Sequence, residues 1–475
     1  MEFLIAAVAC FIGLNVPRLS VAIVPSDHAN TNSTVLGTVA REIIPSSDLE
    51  PDDHLGTSTD APKPHGVQCE PFLIGAFNVM DFGAKGDGRH NDTQAFVDAF
   101  SNCSRVSIIM YAQVCVPNGT YLVDPLTIPH CASCIFRILG KLLSPRKASA
   151  WGGARAFITV ERMDNFTITG DGQGSIQGRS VEDDKQDYPL NFGLGENIPL
   201  GINGPALLLL AQQTSAKEAS GGGLITNITF RGSFGVAVLI IGQPIQQLVK
   251  LCNVNIFSSG SDTTDISRLV FQRQTHISHG LVVTNSTVMA SGCTFRTSGE
   301  NLFIHDPLGG SSRTGLHTNS MKLIGGNSGY TLVLQDGMVS NVTMEGDSFR
   351  GTLNAIRILA TQAGRGQMSN LTIAGASFHD VGTAFVVDAF WCPAFPPCLN
   401  STSGGVAMDS IIIQNSQGTV SSAVAGEFSC SPLRPCTIQM DSVSLTASNS
   451  SDVTEFHCCN AHGHADNVSP KPCLV

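Results

Sequence analysis

From about residue 155 onward, the chain alternates short apolar runs with small polar breaks. Stretches such as "GLITNITFRGSFGVAVLIIG" and "MSNLTIAGASFHDVGTAFVVDAF" contain short runs rich in Val, Ile, Leu and Phe, separated by Gly, Asn, Ser or Asp. Runs of this kind predict β-strands. The unit recurs about every 20–25 residues, and a unit of this size that cannot bury its apolar face alone predicts a solenoid.

One local phrase recurs along this region: Asn, an apolar residue, Thr, and a second apolar residue. It begins at Asn165, Asn227, Asn341 and Asn370. A β-sandwich or barrel with regular turns is the alternative, but such folds rarely reuse one phrase in each layer. The sequence therefore predicts an all-β fold, a single-stranded right-handed parallel β-helix.

The predicted order of segments follows from changes in composition. Residues 1–22 resemble a secretory signal peptide, since their apolar core is too short to cross a bilayer. Residues 23–70 are rich in Ser, Thr, Pro and Asp and predict a flexible leader. Residues 71–445 form the predicted β-helix, which opens with a capping helix, and residues 446–475 form a Cys-rich C-terminal tail. No later segment is apolar for long enough to be a membrane span.

Charge and cysteine content narrow the possible functions. The formal net charge is −11 and there is no basic tail, which excludes nucleic acid as the expected partner. With Cys10 in the signal segment, fourteen cysteines remain of the 15, an even number that favours disulfides in an exported chain. The candidate pairs are Cys131/Cys134, Cys392/Cys398 and Cys430/Cys436, with Cys458, Cys459 and Cys473 clustered at the end.

A zinc site at "CASC" is the alternative to a disulfide, but no second pair of ligands follows at metal spacing. We therefore expect no metal and no other cofactor. Asn-x-Ser/Thr sequons recur throughout, and their density agrees with an exported glycoprotein.

Several phrases resemble one known family, in the same order along the chain. "VMDFGAKGDGRHNDTQAF" resembles the N-terminal phrase of pectin-degrading β-helix enzymes, and "NFTITGDGQGSIQG" resembles the coil that opens the polygalacturonases, glycoside hydrolase family 28. "VNIFSSGSDTTDIS" resembles the family's coil that ends in Asn-Thr-Asp, and "LNAIRIL" its Arg-Ile-Lys strand. The resemblance covers roughly residues 75–440.

The resemblance implies an active site on one face of neighbouring coils. In the family, an Asp of Asn-Thr-Asp and two adjacent Asp residues one coil later supply the acid and the base, and an Arg and a Lys bind the uronate carboxylate. By this comparison Asp265 and Glu300 are the candidate catalytic residues, and Arg357 and Asn301 the candidate substrate-binding residues. Inverting hydrolysis needs two such carboxyl groups roughly 6.5–9.5 Å apart.

The chain departs from the family pattern at four positions. Thr263 stands for the Asn of Asn-Thr-Asp, and Asn301, which cannot ionise, stands for the second Asp of the pair. Gly329 or Tyr330 falls where a His is expected, and Leu359 replaces the Lys. A longer carboxylate at Glu300 also reaches one methylene further than Asp.

The register before Glu300 has two solutions. In the first, preferred one, Asp265 is the matching Asp and residues are inserted around "RLVFQRQTHISHG". In the second, "SHGLVV" is the matching strand and His279 occupies the Asp position. Asp388 in "VVDAF" and the pair His305 and Asp306 are interpreted as surface, cleft rim or strand end.

Two functions follow. The first is a secreted, extracellular or cell-wall hydrolase that acts as a monomer on pectic polygalacturonan or another cell-wall glycan, with reduced activity. The second is a β-helix that binds pectin or another glycan without cleaving it. Because the net charge would repel an acidic polymer, a polyuronate binder needs a locally basic cleft, for which Arg357, Arg268, Arg273 and Arg313 are the candidates.

Overall fold

A computed structural model describes most of the chain from residue 75 to its last residue. The described ranges are 75–107, 111–129, 131, 133–161, 165–179, 204–211, 222–232, 234–242, 248–258, 277–306, 313–362, 364–392, 405–449 and 453–475. The predicted signal peptide 1–22 and leader 23–70 lie outside these ranges, as do Asp265, Arg268 and Arg273.

Two parallel sheets organise the described chain. The smaller sheet has 11 strands. These are β5 (Leu126–Ile128), β8 (Ala156–Val160), β11 (Ala206–Ala211), β14 (Val236–Ile241), β17 (His279–Thr284), β20 (Glu300–Asp306), β23 (Ser328–Leu334), β26 (Asn354–Thr361), β29 (Thr383–Trp391), β32 (Val424–Ser429) and β34 (Glu455–Cys459).

The larger sheet has 24 strands. These are β1 (Ala76–Asn78), β2 (Asp87–Asn91), β3 (Ala112–Val116), β4 (Thr120–Leu122), β6 (Cys134–Ile138), β7 (Lys141–Leu143), β9 (Thr167–Thr169), β10 (Ser175–Gly178), β12 (Gly223–Thr226), β13 (Thr229–Gly232), β15 (Leu248–Cys252), β16 (Asn255–Ser258), β18 (Thr287–Ser291), β19 (Thr294–Arg296), β21 (Arg313–Asn319), β22 (Lys322–Ile324), β24 (Met338–Glu345), β25 (Ser348–Arg350), β27 (Gln367–Ala374), β28 (Ser377–Val381), β30 (Ala407–Met408), β31 (Ile411–Val420), β33 (Cys436–Ala447) and β35 (Ala461–Ser469). One α-helix, α1 (Thr93–Ser107), precedes β3 and buries Ala95, Phe96, Ala99 and Phe100, as predicted.

The strands stack coil upon coil. Each strand of the smaller sheet pairs in parallel with its counterpart one coil later, as Glu300 pairs with Ser328 and Ser328 with Asn354. The coils here are slightly longer than the predicted unit. This order of strands confirms the predicted right-handed parallel β-helix.

The repeated Asn phrase has a conformational cause. Asn165, Asn227, Asn341 and Asn370 all adopt positive φ, between 49° and 57°. Asn tolerates this left-handed region better than most residues, so it turns the chain between strands. The sequon-like pattern is thus explained by turn geometry alone, whether or not these residues carry glycan.

Side chains of the same kind stack inside the solenoid. Leu323 pairs with Phe349, and Phe349 with Phe378, whose rings stack with centroids 5.5 Å apart. Each inward row therefore continues a dry core from one coil to the next. Beyond the predicted boundary at residue 445 the coils continue, because β34 pairs with β32 and β35 with β33.

Disulfides fix loops and the C-terminal end. Cys131–Cys134, Cys430–Cys436 and Cys458–Cys473 are bonded, and Cys392 is also disulfide-bonded. The sulfur of Cys103 lies 3.4 Å from that of Cys134 and is not bonded to it. Burial raises the pKa of the Cys103 thiol to about 12. In the described residues no helix is long and apolar enough to span a bilayer.

One carboxyl group lies inside the solenoid. Asp347 is 1% exposed and accepts hydrogen bonds from the Met321 backbone and from the hydroxyls of Tyr330 and Thr318. Burial is the largest cause of its shift and raises its pKa from 3.8 to about 6, against the lowering effect of these three donors. The folded protein therefore holds this proton more tightly than the unfolded chain does.

Replacement of Asp347 by Asn is expected to stabilise the protein more at pH 7 than at pH 4. The folded pKa is raised, so the wild-type contribution to stability falls as pH rises from about 4 to about 6. The shift corresponds to about 3 kcal/mol at most. Urea unfolding of Asp347→Asn and wild type across this range measures the difference, with exposed Asp441→Asn as control. Equal pH dependence of the two proteins would contradict the assignment.

Candidate functional site

The outer face of the smaller sheet carries the candidate site. In β26, Ile356 and Ile358 pack into the core, so Arg357 between them projects outward. Pairing aligns Arg357 with outward residues of the other strands, in the order Leu239, Val282, Phe303, Thr331, Arg357, Val386 and Glu427. We call this row the Arg357 column. Its members are spaced by the distance between strands, about 4.8 Å.

Glu300 begins β20 and its carboxylate lies against this column. The residue is 4% exposed. Its Oε2 accepts a hydrogen bond from the Thr331 hydroxyl at 2.7 Å, and its Oε1 accepts one from the Asn327 amide at 2.6 Å. The side chain thus crosses to the next strand, and each carboxylate oxygen already has a donor.

Glu300 and Arg357 are brought together. The Arg357 Nη1 lies 3.4 Å from the Glu300 Oε1, although the two residues are 57 positions apart in the sequence. The side chain of Arg357 is 20% exposed and that of Glu300 is 6% exposed. The guanidinium therefore keeps an accessible edge while it contacts the carboxylate.

Asn301 lies on the other side of the strand from the Arg357 column. It is fully buried, its amide donates to the carbonyls of Gly325 and Ser328, and its oxygen accepts from the Thr297 hydroxyl. These bonds use its polar atoms to order the coil. Asn301, predicted as a substrate-binding residue, is therefore held inside the coil and away from the face that carries Arg357.

The strand that neighbours Glu300 is β17, not a strand containing Asp265. Leu281 of β17 pairs with Leu302, which places His279 beside Glu300. This is the second of the two registers that the sequence allowed, and the preference for the first was wrong about which strand is adjacent. Asp265 itself lies outside the described residues.

His279 is a neutral, buried group in this position. Its Nδ1 accepts from the Glu300 backbone N–H at 3.1 Å, so a neutral ring carries its proton on Nε2, which has no partner among the described residues. Burial lowers the pKa of His279 to about 4, and the nearby Glu300 only partly opposes this. Gly299 leaves room for the ring, since a Cβ there would lie 2.7 Å from Nδ1.

Two residues that depart from the family pattern, Tyr330 and Leu359, are both buried. Tyr330 points into the core, where its hydroxyl donates to Asp347, and Leu359 lies 2% exposed in an outer apolar cluster with Phe303 and Val333. Neither offers a polar group to this face. His305 is 1% exposed and burial lowers its pKa to about 4.

Sequence reasoning missed the two neutral donors to Glu300. Thr331 pairs directly with Arg357 in the ladder, so alignment of "NSGYTLVL" with "LNAIRIL" strand by strand would have revealed it. Asn327 immediately precedes β23 and gave no such signal. Of the other cleft arginines, Arg313 lies in β21 of the larger sheet, away from Arg357.

Two further carboxylates follow Arg357. Asp388, which the sequence assigns to the surface or the cleft rim, lies on the next strand and is half-buried. Its pKa is raised, first by burial and also by Glu427, while Arg357 lowers it. Arg357 is thus placed between Glu300 on one side and Asp388 and Glu427 on the other.

Comparisons with known proteins agree with this architecture. The model of glycosyl hydrolases family 28 matches residues 328–469, and that of rhamnogalacturonase A/epimerase, pectate lyase-like, matches residues 76–133. The chain is 25% identical over 410 residues to polygalacturonase-2 of Solanum lycopersicum, covering 84% of this chain and 80% of the relative. It is 27% identical over 412 residues to a polygalacturonase of Prunus persica, covering 84% and 93%.

The chain is similar to polygalacturonases over most of its length. Among solved structures, endo-xylogalacturonan hydrolase from Aspergillus tubingensis superimposes with a TM-score of 0.59 at 16% identity, over 82% of this chain and 99% of that one. The polygalacturonase of Erwinia carotovora gives 0.57 at 16% identity, over 83% and 98%. These two likenesses establish the β-helix fold of this protein, and its chemistry has to be argued from its own residues.

A double-mutant cycle tests the contact between Glu300 and Arg357. Arg357→Met removes the charged donor and is expected to lower the free energy of unfolding by about 2 kcal/mol, and Glu300→Gln by a similar amount. The double variant should lose less than the sum, with a coupling of about 1–2 kcal/mol in urea unfolding at pH 7. Glu300→Gln combined with Arg350→Met, an exposed arginine of the larger sheet, is the control and should show none. Coupling equal to this control would contradict the contact.

Proposed function

We propose that the protein is a secreted polygalacturonase-type glycoside hydrolase of pectic galacturonan, with Glu300 as general acid and Asp265 as general base. Arg357 would bind a uronate carboxylate of the substrate. The observation that carries this proposal is the 3.4 Å contact between Glu300 and Arg357, because it joins an acid and a sugar-binding cation on one face. The match to the family 28 model and the similarity to plant polygalacturonases support a pectic substrate.

The hydrogen bonds of Glu300 indicate how a substrate would reach it. In the free protein, Arg357 and Asn327 both donate to Oε1. A substrate carboxylate that takes the guanidinium would withdraw one of these donors from Oε1. As general acid, Glu300 would give its proton to the leaving glycosidic oxygen, while the base takes a proton from the attacking water.

Inverting hydrolysis also requires a second carboxylate, close enough to Glu300 to act as the general base. Asp388 lies three strands beyond Glu300 in the sheet, about 14 Å at the usual spacing, which exceeds the separation that inversion needs. Among the described residues, the strand adjacent to Glu300 offers neutral His279 and no carboxylate. We therefore assign the base to Asp265, which lies outside the described residues and is the candidate that the family resemblance supplies.

A second candidate function is glycan binding without cleavage. The same neutral His279 favours it, as does the occupation of both Glu300 oxygens by donors. In that case Arg357 would still bind a uronate, and Glu300 would serve to orient it.

Replacement of Glu300 by Gln separates the two functions. In the hydrolase, the purified protein releases reducing ends from pectic galacturonan, and Glu300→Gln lowers the rate by at least about 100-fold because the proton donor is lost. Exposed Glu345→Gln in the larger sheet is the control and should keep full activity. Electrophoresis through gels with and without pectin measures binding in parallel.

Each outcome of this experiment decides something. Retardation in pectin gels with no release of reducing ends from wild type would establish the binding function. Full activity of Glu300→Gln would remove Glu300 from the mechanism. Neither retardation nor release would contradict both proposed functions.

A further inference from the structure

The charges around Arg357 are mostly negative, which bears on the form of the substrate. Arg357 contacts Glu300 and interacts with Asp388, which in turn interacts with Glu427. Glu300, Asp388 and Glu427 are therefore the carboxylates of the described face that lie around Arg357. One guanidinium therefore lies among three carboxyl groups.

The register shows why the carboxylates lie so close together. Arg357 pairs with Val386, and Val386 with Glu427, so Glu427 lies two strands beyond Arg357 in the same column. Asp388 pairs with Leu359 and is diagonal to Arg357, a relation that corresponds to about 7–8 Å between Cα atoms. Asp388 and Glu427 are diagonal to each other in the same way.

In the part of this face that the structure describes, little further positive charge is present. The Arg357 column runs through Leu239, Val282 and Phe303 on one side, and Leu359 stands where the family has a lysine. His279 and His305 are neutral above about pH 5, because burial lowers both pKa values to about 4. Beyond Arg357, Val386 is half-buried and Trp391 keeps a partly exposed apolar surface.

We propose that Asp388 and Glu427 are specificity-determining residues that make this face select galacturonan whose carboxyl groups are esterified, with one free uronate at Arg357. This inference rests on the proposed function, and it names the form of the pectic substrate. A chain of free uronates would set like charges against Asp388 and Glu427, whereas a methyl ester is uncharged and packs against Val386. The net charge of −11 acts in the same direction at longer range.

The experiment compares two polymers of the same backbone, highly methyl-esterified homogalacturonan and fully de-esterified polygalacturonate. Binding is measured by affinity electrophoresis, whose readout is the mobility of the protein and not the release of products. Low ionic strength is used because it leaves charge repulsion unscreened. Wild type is expected to bind the esterified polymer more tightly. The variant Asp388→Asn/Glu427→Gln should gain affinity for polygalacturonate by roughly ten-fold, because two repulsive charges are removed without change of shape.

The matched control removes two charges elsewhere. Asp441 and Asp466 are exposed and paired on the larger sheet, so Asp441→Asn/Asp466→Asn makes the same change in net charge away from the site. This control should keep the wild-type ratio of the two affinities. Near 1 M salt, where screening reaches about 3 Å, the gain in the Asp388→Asn/Glu427→Gln variant should disappear.

The outcomes distinguish selectivity for esterified galacturonan from the proposed pectic function on which it rests. Tighter binding of polygalacturonate by wild type, or an equal change in both double variants, would overturn the inference and leave the pectic function in place. Binding of neither polymer would overturn the proposed function and the inference with it.

Discussion

Parallel backbone pairing in the eleven-stranded sheet is the constraint on which the site depends. It holds equivalent residues of successive coils in straight columns about 4.8 Å apart, so residues distant in sequence become neighbours. Glu300 and Arg357 meet for this reason, through two successive strand pairings. A register shift of one residue would turn Arg357 inward and exchange it with an isoleucine, so the apolar positions that fill the core also fix the site.

Asp347 and Glu300 are both buried carboxyl groups, but their positions in the solenoid give them different partners. Asp347, inside the solenoid, is surrounded by hydroxyls, a backbone N–H and apolar side chains, and its pKa is raised to about 6. Glu300, on the outer face, has a guanidinium and two neutral donors. Asp347 has no cationic partner in the interior, so its neutral form is favoured there. Glu300, by contrast, has the positively charged Arg357 beside it on the outer face.

The scaffold and the chemistry of the outer face vary independently in this protein. The coil scaffold, the Arg on the Arg-Ile-Lys strand and an acid near it all persist. The neighbouring strand presents a neutral histidine, the position of the second Asp is a core asparagine, and the lysine is an apolar leucine. A solenoid tolerates such exchange because its stability comes from stacked inward rows, which the outward residues do not enter. The outer face can therefore change its charge and its substrate while the fold stays the same.

The sequence by itself determined the β-helix, its α1 cap, the Asn turns and two of the local cysteine pairings, Cys131–Cys134 and Cys430–Cys436, because each depends on short-range pattern: strand periodicity, left-handed turn residues and close cysteine spacing. It also predicted that Glu300 and Arg357 share one face of the solenoid. Only the tertiary structure decided that His279 lies beside Glu300, that Asn301 belongs to the core, and that Thr331, Asn327 and Asp388 surround the pair. Those contacts join residues of different coils, and the lengths of the loops between coils, which set the register, leave no periodic signal in the chain.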